Sequence, residues 1–143
     1  MMTRLPPLGA ESRFRPVTPA VPGPILLVED DPLLRDAFRL LLEDAGYQVR
    51  EAGSAKEALE AVDDAVPALV LLDLGLPDRP GLDVARELSS RTATRDVPVV
   101  ALTGRVGPEE RRMCLDAGCV QYLAKPIEPR ELLRMLPGWL KQG

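Results

Sequence analysis

No histidine occurs anywhere in the 143 residues, and only two cysteines do, Cys114 and Cys119. A zinc site therefore lacks ligands and a disulfide framework lacks numbers. Both thiols are expected to be free, as in a reducing compartment. No apolar run approaches the roughly 18 residues of a membrane span, and the N-terminus has no apolar core of the kind a secretory signal carries. The chain is expected to be soluble and cytoplasmic, without a membrane partner. Positive charge is also scarce. Against 22 Asp and Glu stand 18 Lys and Arg, a formal net charge of -4, and no basic stripe is present to grip a phosphate backbone. No nucleic-acid partner is expected.

What remains is a chain of single-domain length, 45% hydrophobic, enough to bury one core. Residues 1–24 hold six of the fifteen prolines and show neither a period of 2 nor one of 3.6. They read as a disordered, Pro-rich leader or linker before a domain spanning 25–143. From residue 25 the texture changes. "ILLV" (25–28) reads as a strand, and apolar positions 33, 34, 37, 38, 41, 42 and 45 follow helical spacing. Asp31 can cap that helix, Pro32 suits its first turn and Gly46 can end it.

The alternation continues. Strands are expected at 47–52, 68–73, 97–104 and 119–125, with helices over 54–65, 81–91, 108–118 and 128–136. Ser54 and Glu57 have capping-box spacing, and Pro137 with Gly138 is expected to stop or kink the last helix. Five apolar strands alternating with five amphipathic helices imply an α/β fold, a doubly wound parallel sheet covered on both faces. In such sheets ligands bind beyond the carboxyl ends of the strands.

The residues that follow each strand's last apolar residue carry the chemistry. They are Glu29 and Asp30 in the first, Asp73 in the third, Thr103 in the fourth and Lys125 in the fifth. The second contributes no chemical group. Three crowded carboxylates repel one another unless a cation sits among them. A hard divalent ion answers that need, and Mg2+ is favoured because it takes one or two carboxylates and completes its shell with water and phosphate oxygens. Singly, each residue has an ordinary reading as a helix cap, a strand residue or a surface lysine; Asp31 is read as a cap alone. Their joint placement along one sheet edge favours function.

These motifs, "ILLVEDDPLLR", "LVLLDLGLPDRPGLDV", "VVALTG" and "YLAKPI", resemble the receiver domain of the two-component response regulators, the chemotaxis-regulator-like family, over residues 25 to about 140. The resemblance implies the flavodoxin-like receiver fold, with strand order 2-1-3-4-5. It implies that Asp73 accepts a phosphoryl group from a histidine of a sensor histidine kinase or a histidine phosphotransfer protein. It implies that Asp30, Asp73 and the main-chain carbonyl of Gly75 ligate Mg2+, for which Mn2+ can substitute, with Glu29 acting through water. Lys125 then pairs with the phosphoryl oxygens before a cis bond to Pro126, and Thr103 with Tyr122 forms the switch pair. The fourth helix, fifth strand and fifth helix form the surface that changes, and the chain is a signalling phosphoprotein with slow self-dephosphorylation only.

Some positions depart from the family pattern. Gly75 stands where many members carry a polar side chain, "TG" replaces the commoner Thr-Ala or Thr-Ser, and Arg79 and Pro80 replace an acidic or polar pair. Gly75 and Arg105 occupy the positions that in the family line the approach of the hydrolytic water. Arg105 is expected to lie against the phosphoryl oxygens, and Gly75 to leave the water unoriented, so a long-lived phosphorylated state is expected. No DNA-binding output domain is expected in the chain. The leader segment "GAESRFRPVTP" is loosely similar to the end of a kinase ATP-binding domain, which keeps a terminal receiver of a hybrid histidine kinase as an alternative. A degenerate docking receiver is a second alternative. A phosphohydrolase of the haloacid dehalogenase type would need an acid two residues after its nucleophile, where this chain has Gly75. A flavodoxin-like nucleotide binder would need a phosphate-cradling loop where "VEDDPLL" is acidic.

Overall fold

The computed structural model describes residues 23–141; residues 1–22, most of the expected leader, lie outside them. The strands are β1 (Ile25–Val28), β2 (Val49–Ala52), β3 (Leu69–Asp73), β4 (Val99–Thr103) and β5 (Gln121–Ala124). The helices are α1 (Pro32–Asp44), α2 (Ala55–Asp64), α3 (Gly81–Ser90), α4 (Pro108–Asp116) and α5 (Pro129–Leu140). All strand pairs are parallel and the order is β2-β1-β3-β4-β5. This is the flavodoxin-like receiver topology. No helix among the described residues is long and apolar enough to cross a membrane.

Alternation along the strands divides the core in two. Leu26, Val28, Val70, Leu72, Val99 and Ala101 pack with α2, α3 and α4 on one face. Ile25, Leu27, Leu69, Leu71, Val100 and Leu102 pack with α1 and α5 on the other. Because successive side chains point to opposite faces, the central strands are apolar at every position up to the Asp73 and Thr103 that end β3 and β4, and buried on both sides.

Four strands start later than the sequence suggests, β3 by one residue and β2, β4 and β5 by two, and for β2 and β5 the preceding helix gives the reason. At the end of α1, Gly46 N donates to Glu43 O and Tyr47 N to Leu42 O; at the end of α4, Gly118 N donates to Leu115 O and Cys119 N to Cys114 O. Both are Schellman closures. They turn the N–H groups of Tyr47 and Cys119 back to the helix rather than into the sheet, so β2 opens at Val49 and β5 at Gln121. Cys114 and Cys119 are buried and free.

The expectation that Pro137 and Gly138 stop the last helix needs correction, for α5 runs through both to Leu140. An interior proline costs about 3 kcal/mol through its missing N–H and a clash with the preceding turn. Continuation carries Trp139 into the core, 5% exposed, on the same face as Leu132 and Leu136. Burying such a side chain contributes about 2–3 kcal/mol, which offsets that cost.

Candidate functional site

The ends of β1, β3, β4 and β5 each deliver one part of the site. Glu29 follows β1 and is held there by its N–H donating to Ala52 O of β2 (2.9 Å). The next two residues have separate tasks. Asp30 is exposed, whereas Asp31 caps α1, its Oδ1 accepting from the N–H groups of Leu33 (3.0 Å) and Leu34 (3.5 Å). Asp73 closes β3 opposite Leu102, and Lys125 N donates to Thr103 O (2.7 Å), fixing the end of β5 against β4. Glu29 and Asp73 share the alternation of Ile25, Leu27, Leu69 and Leu71, so both fall on the α1/α5 side of the sheet. Thr103 has the parity of Val99 and Ala101 and falls on the α3/α4 side, where Tyr122 packs half-buried.

Glu29, Asp30 and Asp73 each present a carboxylate oxygen within 4.8 Å of the others. Glu29 and Asp73 are buried, at 2% and 3% exposure. Lys125 Nζ donates to Asp73 Oδ1 at 2.9 Å and reaches Glu29 Oε1 at 3.5 Å. Gly75 N donates to Asp73 Oδ1 (3.0 Å), and Asp31 N to Glu29 Oε2 (3.2 Å).

The two buried carboxyls titrate in opposite directions. Burial and the charge of Asp73 raise Glu29 above its ordinary value, against the opposing pull of the Asp31 N–H and Lys125. Burial also works to raise Asp73, but the Lys125 ammonium and the Gly75 N–H outweigh it and hold that carboxyl below its ordinary value. Lys125 itself is held above its ordinary value: Asp73 and Glu29 overcome its partial burial.

Three clustered carboxylates, two of them paired with a single ammonium, leave a negative excess. The donors are all oxygen and hard, a set that suits Mg2+ and offers nothing to a soft ion. The residues present therefore fit the divalent ion that the sequence implies.

The carboxylates open into a cleft of about 720 Å³, whose rim includes Leu34, Gly75, Pro80, Gly104, Arg105 and Met113. Thr103 is buried, and its Oγ1 accepts from Arg105 N (3.0 Å), leaving the hydroxyl hydrogen available. The Arg105 side chain is 83% exposed, with Nη1 4.0 Å from Glu110 Oε1 of α4. A Cβ at Gly75 would meet only Asp73 Oδ1, at 3.8 Å, so the position has room for a side chain. The Lys125–Pro126 bond is cis. Arg79 pairs along α3 with Asp83 and Glu87.

Sequence reasoning missed two residues beside the site. Arg35 Nη1 donates to Glu29 O (2.8 Å) and its Nε to Glu51 Oε1 (3.2 Å). Asp78, in the loop after β3, accepts from Ala55 N (2.9 Å) and Lys56 N (3.0 Å) at the start of α2. Both stand inside motifs quoted above, but nothing in their spacing marks the partners they reach, which only the tertiary fold brings to them.

The geometry agrees with comparison to known proteins. The family described as "Response regulator receiver domain" matches residues 25–137. An uncharacterised 14.6 kDa protein of Leptolyngbya boryana is 37% identical over 78% of this chain and 86% of its own length. The phosphate regulon transcriptional regulatory protein PhoB of Pseudomonas aeruginosa is 35% identical over 82% of this chain. This chain spans only about half of that regulator, 52% of its length. Among solved structures, a response regulator from Chloroflexus aurantiacus described as putative superposes with a TM-score of 0.79 at 32% identity, over 84% of this chain and 98% of that one. The receiver domain of a sensor histidine kinase from Pseudomonas aeruginosa, solved with magnesium coordinated in its active-site cleft, gives 0.76 at 34% identity, over 83% and 98%. With its matching topology and acidic cluster, the chain belongs to the response regulator receiver family, the phosphoacceptor modules of two-component signalling.

Proposed function

We propose that Asp73 is the phosphoacceptor, taking its phosphoryl group from a phosphohistidine of a sensor kinase or a histidine phosphotransfer protein. The observation that carries this reading is the 2.9 Å contact of Lys125 Nζ with Asp73 Oδ1, at the end of the central strand and inside an open cleft. Asp73, held below its ordinary pKa, is ionised at neutral pH and ready as a nucleophile. Its carboxylate oxygen forms the new P–O bond as the P–N bond to imidazole breaks, and the imidazole nitrogen keeps the electron pair.

Phosphoryl transfer depends on in-line positioning and on neutralising charge at the equatorial oxygens. Asp30, Asp73 and the Gly75 carbonyl would hold Mg2+, with Glu29 acting through water. When bound, the ion would supply positive charge to the phosphoryl oxygens. The Lys125 ammonium pairs with a second oxygen, and the Thr103 hydroxyl donates to a third.

Phosphorylation gives Thr103 a new acceptor. Its side chain then turns toward the site, and the half-buried Tyr122 moves into the space it leaves. A local charge change thus biases a two-state element, with α4, β5 and α5 as the surface read by an output protein. The likeness to the receiver of a sensor histidine kinase favours a second reading of the setting, a receiver attached to its own kinase, with the same chemistry at Asp73.

Phosphotransfer profiling tests the proposal. The chain is mixed at short times with each phosphorylated histidine kinase of its organism. Fast transfer from one kinase to the wild-type chain but not to Asp73→Asn is expected. Transfer from none, with the kinases active on other receivers, would leave a docking module instead.

A further inference from the structure

β2 ends without a chemical group, yet both loops that carry the acidic site are tied to its junction with α2. On the first loop, the backbone of Glu29 is held at both ends: its N–H donates to Ala52 O (2.9 Å), and its carbonyl accepts from Arg35 Nη1 (2.8 Å). The same guanidinium reaches Glu51 Oε1 of β2 at 3.2 Å. On the second loop, three residues beyond Gly75, the carboxylate of Asp78 takes the first two N–H groups of α2 with separate oxygens, at 2.9 and 3.0 Å. The junction is itself rigid, since Ser54 Oγ accepts from Glu57 N (3.1 Å) and Glu57 Oε1 accepts from Gly53 N (2.7 Å).

We propose that Arg35 and Asp78 are positioning residues, which clamp the Glu29–Asp30 loop and the Gly75 loop to the β2–α2 junction and so set the spacing of the oxygens that would receive the divalent ion. This rests on the reading of the acidic cluster as a Mg2+ site. An ion that demands near-octahedral geometry is sensitive to such spacing, and two loops joined only through their own strands would leave it to chance. Arginine suits the first clamp because its planar fork serves two acceptors at once, a carbonyl and a carboxylate. Aspartate suits the second because a carboxylate complements the positive end of a helix while satisfying two otherwise unpaired N–H groups. Gly53 belongs to the same device: a Cβ there would fall 2.9 Å from Arg35 Nη1, against the tip of a flexible side chain.

That contact supplies a mild test. Gly53→Ala is expected to displace the guanidinium without removing a charge, and at little cost in thermal midpoint because the atom that must shift is the far end of a flexible side chain. Mg2+ affinity of the full chain is measured by titration calorimetry for wild type, Arg35→Met, Arg35→Lys, Asp78→Ala and Gly53→Ala. Amide hydrogen exchange over residues 29–31 and 74–79 is followed in the metal-free proteins. Arg35→Met and Asp78→Ala are expected to bind Mg2+ about tenfold more weakly, the scale on which partners of a metal ligand act. Arg35→Lys recovers part of that loss, and Gly53→Ala weakens binding with its midpoint little changed. Exchange speeds up in the first loop for Arg35→Met and in the second for Asp78→Ala. Wild-type affinity and wild-type exchange in all four variants would overturn the proposal. If the wild-type chain takes up no Mg2+, the metal reading fails, and the metal-free exchange rates alone decide whether the clamps exist.

Discussion

Lys125 Nζ stands 2.9 Å from Asp73 Oδ1 and 3.5 Å from Glu29 Oε1, so a single ammonium serves two buried carboxylates from different strands. Its side chain is 28% exposed, which screens the pairing but does not abolish it. Removing the ammonium leaves two neighbouring negative charges out of water, the costly half of a broken pair. For Lys125→Met we expect a loss of about 2 kcal/mol in the metal-free protein, below the 3–5 kcal/mol of fully buried pairs because of that exposure. Thermal melts check it: the midpoint falls by several degrees without divalent ions, and Mg2+ restores more in the variant than in wild type.

Glu29 sets a pH dependence of its own. Its carboxyl lies above the ordinary 4.5 in the folded state, through burial and then Asp73. A raised folded pKa favours folding below the unfolded value, and that advantage disappears as pH rises through the folded value. At neutral pH the ionised Glu29 therefore costs stability when no cation is bound. Glu29→Gln should melt higher than wild type at pH 7 in the absence of divalent ions, with the gap closing below about pH 4. Asp73 runs the other way: lowered from 3.8, it contributes stability above that value and loses it on acidification. A difference between Glu29→Gln and wild type that is constant across this range would contradict the assignment.

Gly75 and Arg105 are together expected to lengthen the phosphoryl lifetime. The exposed Arg105 guanidinium lies 4.0 Å from Glu110 at the cleft, and against phosphoryl oxygens it would occupy part of the path of the attacking water. Glycine offers no group to orient an attacking water, so positioning at that corner is lost. A self-dephosphorylation half-life of minutes or longer is expected from phosphate release after removal of the donor. Gly75→Asn combined with Arg105→Glu should shorten it several-fold; an unchanged or longer half-life would refute this account.

The fold was legible because a parallel sheet buried on both faces leaves strands that are apolar at every position, as in Leu69–Leu72 and Val99–Leu102, between helices of period 3.6. Asp73 stood out for the same reason, as the charge that ends such a run. Local rules failed where tertiary packing competed with them. Trp139 draws α5 through Pro137, and the Schellman closures remove Tyr47 and Cys119 from their strands. The roles of Arg35 and Asp78 left no trace in the sequence because three of their partners are main-chain groups, which carry no residue identity to read, and the fourth, the Glu51 carboxylate, is brought to Arg35 only by the fold.

The central claim is that Asp73 carries the phosphoryl group, and chemical phosphorylation with mapping of the modified residue tests it most directly. The chain is incubated with acetyl phosphate and Mg2+, its intact mass recorded, and the label located by peptide mass spectrometry. The account predicts one phosphoryl group on the peptide containing Asp73, lost on chelation of the metal and absent from Asp73→Asn. Labelling of Asp73→Asn at the wild-type level, or a phosphoryl group mapped to another residue, would contradict it.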